Sequence, residues 1–272
     1  MAQGVQMSFS IDGKTAIVTG AANGIGLAIA RHFADQGANV MFADMDDARL
    51  ADEVGELSED SNVRYFSGDL REKLTLANLL SGTIDAFDSI DILVNGSRQM
   101  LTTSPLDADD KSMDTLLQQN LITSYRLSQL VARRMIKQAR GRDEGPVGSI
   151  INLSSVSSRL ARPELLAYSV STAALEQLTR SMAVSLASER IRVNAVAFGS
   201  VMSASLKETL RENSDFRGDI EENTPLGRIA APHELAEAVQ FLASDGSGFV
   251  TGQVLSVDGG RTLLDPVCSP AH

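Results

Sequence analysis

Tryptophan is absent from the 272-residue chain, and cysteine occurs once, at Cys268. A lone cysteine excludes internal disulfides and fits a reducing compartment, so a cytoplasmic setting is expected. Histidine is nearly as scarce, at His32, His233 and His272. That leaves few soft ligands, and no metal centre is expected. His233-Glu234 begins like the helical zinc motif His-Glu-x-x-His, but Glu237 stands where the second histidine belongs, so zinc-protease chemistry is excluded. Long apolar runs are missing too. The longest charge-free stretch, Thr15 to Ala30, is interrupted by glycine and is shorter than a membrane span needs. No basic segment precedes an apolar one at the N-terminus, so a secretory leader is not expected. Positive charge is in deficit, with 24 Lys plus Arg against 35 Asp plus Glu and a net charge of −11. That balance argues against nucleic acid or an anionic membrane as partner. There is no internal repeat, and no Pro/Gly-rich linker divides residues 1–272, which read as one domain.

What is present is an ordinary globular composition, 43% hydrophobic and 22% charged, sufficient for a sizeable core. Short apolar runs predict strands at Thr15–Thr19, Asn39–Ala43, Val63–Phe66, Ile92–Asn95, Ser149–Ser154, Arg192–Ala197 and Val254–Val257. Runs such as Ile92-Leu93-Val94 read as strands covered on both faces. Helical patterns lie between them, at Ile25–Gln36, Ala48–Leu57, Lys73–Phe87, Met113–Arg140, Tyr168–Ser188 and Glu234–Ser244. Alternating strand and helix predicts a doubly wound α/β fold: a parallel sheet with right-handed crossovers and helices on both faces. Residues 200–224 read as a long charged loop after a strand's carboxyl end, the usual place for a substrate loop.

Thr19-Gly20-Ala21-Ala22-Asn23-Gly24-Ile25-Gly26 follows the first strand and opens the first long helix. Glycines there allow close backbone approach to a pyrophosphate, and the helix N-terminus supplies free N–H groups. The strand, turn and helix together point to a dinucleotide. Eighteen residues past Gly26, Asp44 ends the second strand. An acid at this spacing accepts hydrogen bonds from the adenosine ribose hydroxyls and repels a 2′-phosphate. Neither Asn23 nor Met45 is basic. NAD is therefore expected rather than NADP.

These motifs resemble the short-chain dehydrogenase/reductase family. The spacing Thr-Gly-x-x-x-Gly-x-Gly matches Thr19 to Gly26, and Gly68-Asp69-Leu70 resembles the family's adenine-contacting segment. Asn120 falls at the family's helical Asn. Asn152-Leu153-Ser154-Ser155 resembles the strand that carries the catalytic Ser, and Tyr168 follows at the usual interval. Pro225-Leu226-Gly227-Arg228, Phe241–Asp245 and Val250-Thr251-Gly252 with Val257–Gly260 are similar to the bacterial acyl-carrier reductase and sugar-alcohol dehydrogenase branch. The resemblance covers essentially the whole chain. It implies a Rossmann sheet of strand order 3-2-1-4-5-6-7 and a homotetramer. In the second long helix, Ala173, Ala174, Leu178, Met182 and Leu186 form an apolar set too broad for one face. It also implies cofactor contacts from Gly20, Asn23, Gly24, Ile25, Gly26, Asp44, Asp69, Leu70, Asn95, Gly96, Gly199 and Val201, and catalysis by Tyr168, Ser155 and Asn120.

The resemblance breaks at the chemistry. The signature Tyr-x-x-x-Lys reads Tyr168-Ser169-Val170-Ser171-Thr172, with threonine for lysine. Asn95-Gly96-Ser97-Arg98 has Arg where the family has Gly, and Phe198-Gly199 replaces Pro-Gly. All three departures fall at the expected nicotinamide end. A tyrosine can give a proton to the alkoxide that hydride transfer creates, or remove it in reverse. Unaided, it is almost wholly protonated at neutral pH. A lysine at i+4 favours the phenolate by charge, and in the family it also holds the nicotinamide ribose. Ser155 would hold the substrate oxygen, and in the family the Asn positions a water linking the lysine to solvent. Thr172 has neither charge nor reach, but it can bond a carbonyl one turn back. Arg98, Arg159 and Arg162 are candidate substitute cations, with solvent exposure or a surface ion pair as the simpler expectation. Phe198 is expected to stack on the nicotinamide, to fill its slot, or simply to be a buried core side chain. Two functions stay open. One is an NAD(H)-dependent oxidoreductase acting on a small alcohol or carbonyl, weakened by the missing lysine. The other is a nucleotide-binding protein without turnover. The polar composition of residues 202–222 mildly favours a small polyol or ketone.

Overall fold

Seven short segments pair in parallel in the computed structural model, which describes residues 9–55, 61–213 and 215–265. They are β1 (Thr15–Thr19), β2 (Asn39–Asp44), β3 (Val63–Ser67), β4 (Ile92–Asn95), β5 (Gly148–Ser155), β6 (Ile191–Phe198) and β7 (Val254–Val257). Their order is β3-β2-β1-β4-β5-β6-β7. Burial explains the pattern. The central strands β1, β4 and β6 are buried at every position, whereas the edge strands β3 and β7 are only partly covered. Strands buried on both faces must be apolar throughout, and these read so.

Helices cover both faces. They are α1 (Gly24–Asp35), α2 (Asp47–Val54), α3 (Lys73–Phe87), α4 (Ser112–Leu116), α5 (Thr123–Gln138), α6 (Leu166–Leu186), α7 (Ala204–Glu212), α8 (Asp215–Glu222) and α9 (Pro232–Ala243). The period-2 alternation of each strand sorts its side chains between two cores. Ala16, Val18, Val40, Phe42, Val94 and Val196 face α1 and α9, where Ile29, Phe33, Leu235 and Val239 meet them. Ile17, Met41, Leu93, Ile150 and Val193 face α3, α5 and α6, against Leu79, Leu127, Val131 and Met182. Phe33 is fully buried, and truncating such a side chain to alanine costs about 3–5 kcal/mol.

Two expectations need correction. The segment 200–224 is not a plain loop, since it contains α7 and α8. Each has eight or nine residues and is mostly exposed. Such short polar helices leave little periodic signal. The single helix expected over Met113–Arg140 is three pieces: α4, a π-helical segment Leu117–Ile122, and α5. Smaller differences lie at element ends. Asp44, Ser155 and Phe198 belong to their strands, and α2 ends at Val54, with Leu57 outside the described residues.

The β1–α1 turn is the tightest part of the fold. A Cβ on Gly26 would lie 2.1 Å from the Gly20 carbonyl oxygen, closer than atoms can approach. Gly24 has φ +57 but open space around it, so only its left-handed backbone resists a side chain. We expect Gly26→Ala to destabilise the protein by at least about 2 kcal/mol and Gly24→Ala by about 1 kcal/mol. Urea unfolding of both variants measures this, and a larger loss at Gly24 would overturn the packing account.

Candidate active site

At the carboxyl end of the sheet, the chain leaves β1 and β4 in opposite directions, which opens a crevice. Thr19 closes its floor. Its hydroxyl oxygen accepts from the Gly96 and Ser97 N–H groups, each at 3.0 Å, and so ties the β1 turn to the β4 turn. Gly20 is forced by this contact, because a Cβ there would stand 2.7 Å from the Gly96 oxygen. Asn23 caps α1 without any side-chain bond to the first turn, and no acid lies in that turn. The helix therefore presents free N–H groups and its positive end. This cradle fits a pyrophosphate.

The adenosine side is equally specific. Asp44 Oδ2 accepts from Ala22 N–H at 3.1 Å, and Oδ1 accepts from the Met45 and Asp46 N–H groups at 2.7 and 3.2 Å. The carboxylate is thus fixed, half-buried, beside the glycine turn. Arg71 forks onto Asp69, with Nη2 at 2.6 Å from Oδ2. This pair, chiefly through its hydrogen bond, holds the Asp69 carboxyl below its ordinary range. Ile25, Leu70 and Val201 are buried, so they can offer a ligand mainly backbone. Asn95 donates to Ser128 Oγ at 3.0 Å and to Asn152 Oδ1 at 2.8 Å, and Asn152 donates to Thr179 Oγ1 at 2.8 Å. The Asn95 side chain is committed to this interior ladder across β4, β5 and α6.

At the other end of the crevice, Ser155 is the last residue of β5 and pairs in register with Phe198, the last of β6. Ser155 Oγ accepts from Ser157 N–H at 3.2 Å. Glu176, buried on α6, accepts from Ser154 Oγ at 3.1 Å and Ser158 Oγ at 2.5 Å, bracketing Ser155 from both sides. Tyr168 sits on α6, buried against Leu101, Met113, Leu116 and Leu165. Arg98 joins the two. Its Nη1 donates to the Tyr168 hydroxyl oxygen at 3.1 Å, and its guanidinium carbon lies 4.3 Å from the centre of the Phe198 ring. Arg98 is exposed, as expected, but its partners are a phenol and an aromatic face rather than a surface carboxylate. Phe198 packs in the core, the simpler of the expectations for it, and carries Arg98 on one face, which the sequence did not suggest. Arg159 and Arg162 stay exposed, with Arg159 donating to Ser256 Oγ at 3.0 Å.

Thr172 is buried and donates to the Tyr168 carbonyl at 3.0 Å, one turn back. Asn120 lies in the π-helical segment, whose wider turn aims it and Gln119 at the β4 turn. Asn120 Oδ1 accepts from Gln99 N–H at 2.9 Å, while Nδ2 donates to Gln99 O at 3.0 Å and Ser171 Oγ at 3.1 Å. Gln119 donates to Ser97 Oγ at 3.0 Å. Both amide N–H groups of Asn120 are engaged within the protein. These bonds pin the β4 turn to α6.

The sequence reading gave no role to Ser97, Gln99, Gln119, Ser171 or Glu176, and it named Thr19 only as the first residue of the glycine motif. Only Glu176 left a signal. It lies eight residues beyond Tyr168, on the helix face it shares with Thr172 and Thr179, where an acid among buried neighbours is unusual.

A family model described as "Enoyl-(Acyl carrier protein) reductase" matches residues 20–262. The chain is 35% identical over 257 residues to an uncharacterized oxidoreductase of Mycobacterium tuberculosis, covering 94% of each. It is also 35% identical over 253 residues to a cis-4-hydroxycyclohexanecarboxylate dehydrogenase of Sinomonas cyclohexanicum, covering 92% of this chain and 97% of that one. Two solved structures share the fold at TM-score 0.83. One is a 7α-hydroxysteroid dehydrogenase complexed with NADH and 7-oxoglycochenodeoxycholic acid, at 30% identity, covering 93% of this chain and 96% of that one. The other is a gluconate 5-dehydrogenase of Burkholderia cenocepacia complexed with NADP and tartrate, at 33% identity, covering 95% and 98%. The chain belongs to the short-chain dehydrogenase/reductase family of oxidoreductases.

Proposed function

We propose that this protein is an NAD(H)-dependent oxidoreductase that interconverts a small alcohol and its ketone or aldehyde, working below the rate that a lysine at position 172 would support. The observation that carries this reading is the Tyr168 hydroxyl bonded to the Arg98 guanidinium, which lies on the ring of Phe198, the strand partner of Ser155. When bound, the nicotinamide accepts or supplies the hydride. Ser155 orients the substrate oxygen by a hydrogen bond. Tyr168 donates a proton to that oxygen in reduction and removes it in oxidation.

A specific observation favours a second reading, a nucleotide-binding protein without turnover. Arg98 spans from Tyr168 to Phe198 across the rim where the nicotinamide would enter. Steady-state kinetics on a panel of small alcohols and ketones separates the two. Background rates with intact NADH binding would select the second.

The fixed carboxylate of Asp44 supports NAD over NADP, since a ribose 2′-phosphate there would meet a negative charge without a cation beside it. We expect NADH to bind at least about tenfold more tightly than NADPH, the size of a ~1.4 kcal/mol repulsion. Calorimetry with both cofactors measures it. Equal affinities would show that Asp44 does not meet the ribose.

Thr172→Lys adds the ammonium that the family places one turn from the tyrosine. The long side chain can snorkel from this buried helix face toward the crevice. A gain in oxidative turnover at neutral pH of roughly tenfold to a hundredfold is expected, with a smaller gain in reduction, because oxidation needs the phenolate and reduction the phenol. NAD affinity should rise as well. No gain in either direction would show that the missing lysine is not the main loss.

We also propose a homotetramer. Leu178, Met182 and Leu186, expected at an interface, pack on the core instead. Support comes from other residues of the same helix. Leu166, Val170 and Val184 on α6 are exposed, as is Tyr125 on α5, and such apolar edges are usually covered by a partner. Monomeric sedimentation at micromolar concentration would exclude this assembly. A cytoplasmic setting remains our reading, and among the described residues no helix is long and apolar enough to cross a membrane.

A further inference from the structure

We propose that Arg98 is a positioning residue that holds the Tyr168 hydroxyl and stabilises its phenolate, so that the cation missing from α6 is supplied from the β4 turn. The proposal rests on the oxidoreductase reading and deepens it.

Three observations carry it. The first is the contact itself, guanidinium Nη1 to phenol oxygen at 3.1 Å. A guanidinium keeps its charge at any pH at which the protein is folded and can only donate. It therefore bonds the phenolate more strongly than the phenol. The second is the absence of competitors. Tyr168 lies in an apolar cluster with Leu116, Ala167, Leu101, Met113 and Leu165, none of which titrates. The next ionisable group on its helix face is Glu176, which is bonded to Ser154 and Ser158 and paired with Arg180. On the segment between Ser155 and α6, Arg159 and Arg162 are exposed; Arg159 bonds Ser256, and Glu164 is exposed as well. Arg98 itself forms no ion pair among the described residues, so its charge is not already neutralised.

The third observation is that Arg98 does not hang from a free loop. The residues on either side are fastened. Ser97 N–H donates to Thr19, and Ser97 Oγ accepts from Gln119. The Gln99 backbone N–H donates to Asn120 Oδ1, and its carbonyl accepts from Asn120 Nδ2. The Phe198 ring, at 4.3 Å, gives the guanidinium a face to lie on, a contact suited to arginine. A chance surface arginine would have no such seat. Asn120 thus acts on Tyr168 through Arg98 and, by way of Ser171, through α6 as well.

The chemistry needs no further reactant. In oxidation the alcohol O–H proton passes to the Tyr168 oxygen while the carbinol hydride leaves to the nicotinamide. Arg98 gains and loses nothing; it only favours the anionic starting form of the tyrosine.

The test uses the scarcity of chromophores: three tyrosines and no tryptophan. Tyr65 and Tyr125 are exposed. In a Tyr65→Phe/Tyr125→Phe background, the near-ultraviolet phenolate absorbance reports Tyr168 alone. We expect Arg98→Gln to move that ionisation upward, because the donor that favours the phenolate is lost. Arg98→Lys should keep most of the effect. In kinetics, oxidative turnover at neutral pH should fall about tenfold in Arg98→Gln and converge with the parent at high pH, where the phenolate forms unaided. Reduction should lose less. An unmoved ionisation overturns the proposal. So does tighter NADH binding with faster turnover in Arg98→Gln, which would make Arg98 a plug over the crevice. The two readings fail separately. A parent without turnover but with a shifted ionisation in Arg98→Gln removes the oxidoreductase reading and leaves the Arg98–Tyr168 pair standing. Turnover with an unmoved ionisation removes only the pair.

Discussion

Two hydrogen bonds to one hydroxyl set the geometry of this crevice. Thr19 Oγ1 accepts from Gly96 and Ser97 and so fixes the β4 turn against the β1 turn. Everything that follows on the nicotinamide side is measured from that seam. Gly20 must be glycine because of it, and Gly26 must be glycine because α1 starts directly behind Gly20. The connections after β1 and β4 leave in opposite directions, and this seam holds the two departing turns together. A hydroxyl does this better than an apolar contact because two N–H groups that would otherwise be stranded at the sheet's end are satisfied together.

The same logic runs deeper into the sheet. Asn95, Asn152, Thr179 and Ser128 form a buried ladder, and Glu176 brackets the turn around Ser155. Each such bond contributes only about 1 kcal/mol net, but an unpaired partner in that setting costs about 1–3 kcal/mol. The ladder therefore acts less as a source of stability than as a penalty on every arrangement except one. That suits the site we propose, in which Ser155 and Tyr168 come from different elements and act on one substrate oxygen.

The sheet was legible because its central strands are buried on both faces and so are written as unbroken apolar runs. The phosphate turn was legible because glycine is the only residue that fits Gly20 and Gly26. Thr172 bonding back to Tyr168 was legible because it is local, one helical turn away. Three features were not. The π-helical segment around Asn120 carries the same apolar spacing as the α-helix it interrupts, so periodicity passes over it. The helices α7 and α8 are short and mostly exposed, and charged residues in that setting look like a loop. The partners of Arg98 lie 70 and 100 residues away, and neither is acidic. A reading of charge that looks for opposite charge has no means of finding a phenol and an aromatic face.

Moving the cation from a helix to a turn alters what it can do. An ammonium at position 172 could stabilise a phenolate and also hand a proton onward, because its own proton is exchangeable at accessible pH. A guanidinium cannot be deprotonated in that range. In our reading Arg98 thus takes over the electrostatic half of the lysine's work and leaves the relay without a member. The surrounding bonds agree with that division. Asn120, which would stand next in such a relay, has both amide N–H groups bonded to Gln99 and Ser171. Those bonds hold the turn that carries the charge. Tyr168 itself is buried, and the guanidinium on its oxygen can only donate, so it cannot take up the proton. In our reading the site therefore keeps the charge that favours the phenolate and lacks the side chain that would pass its proton on.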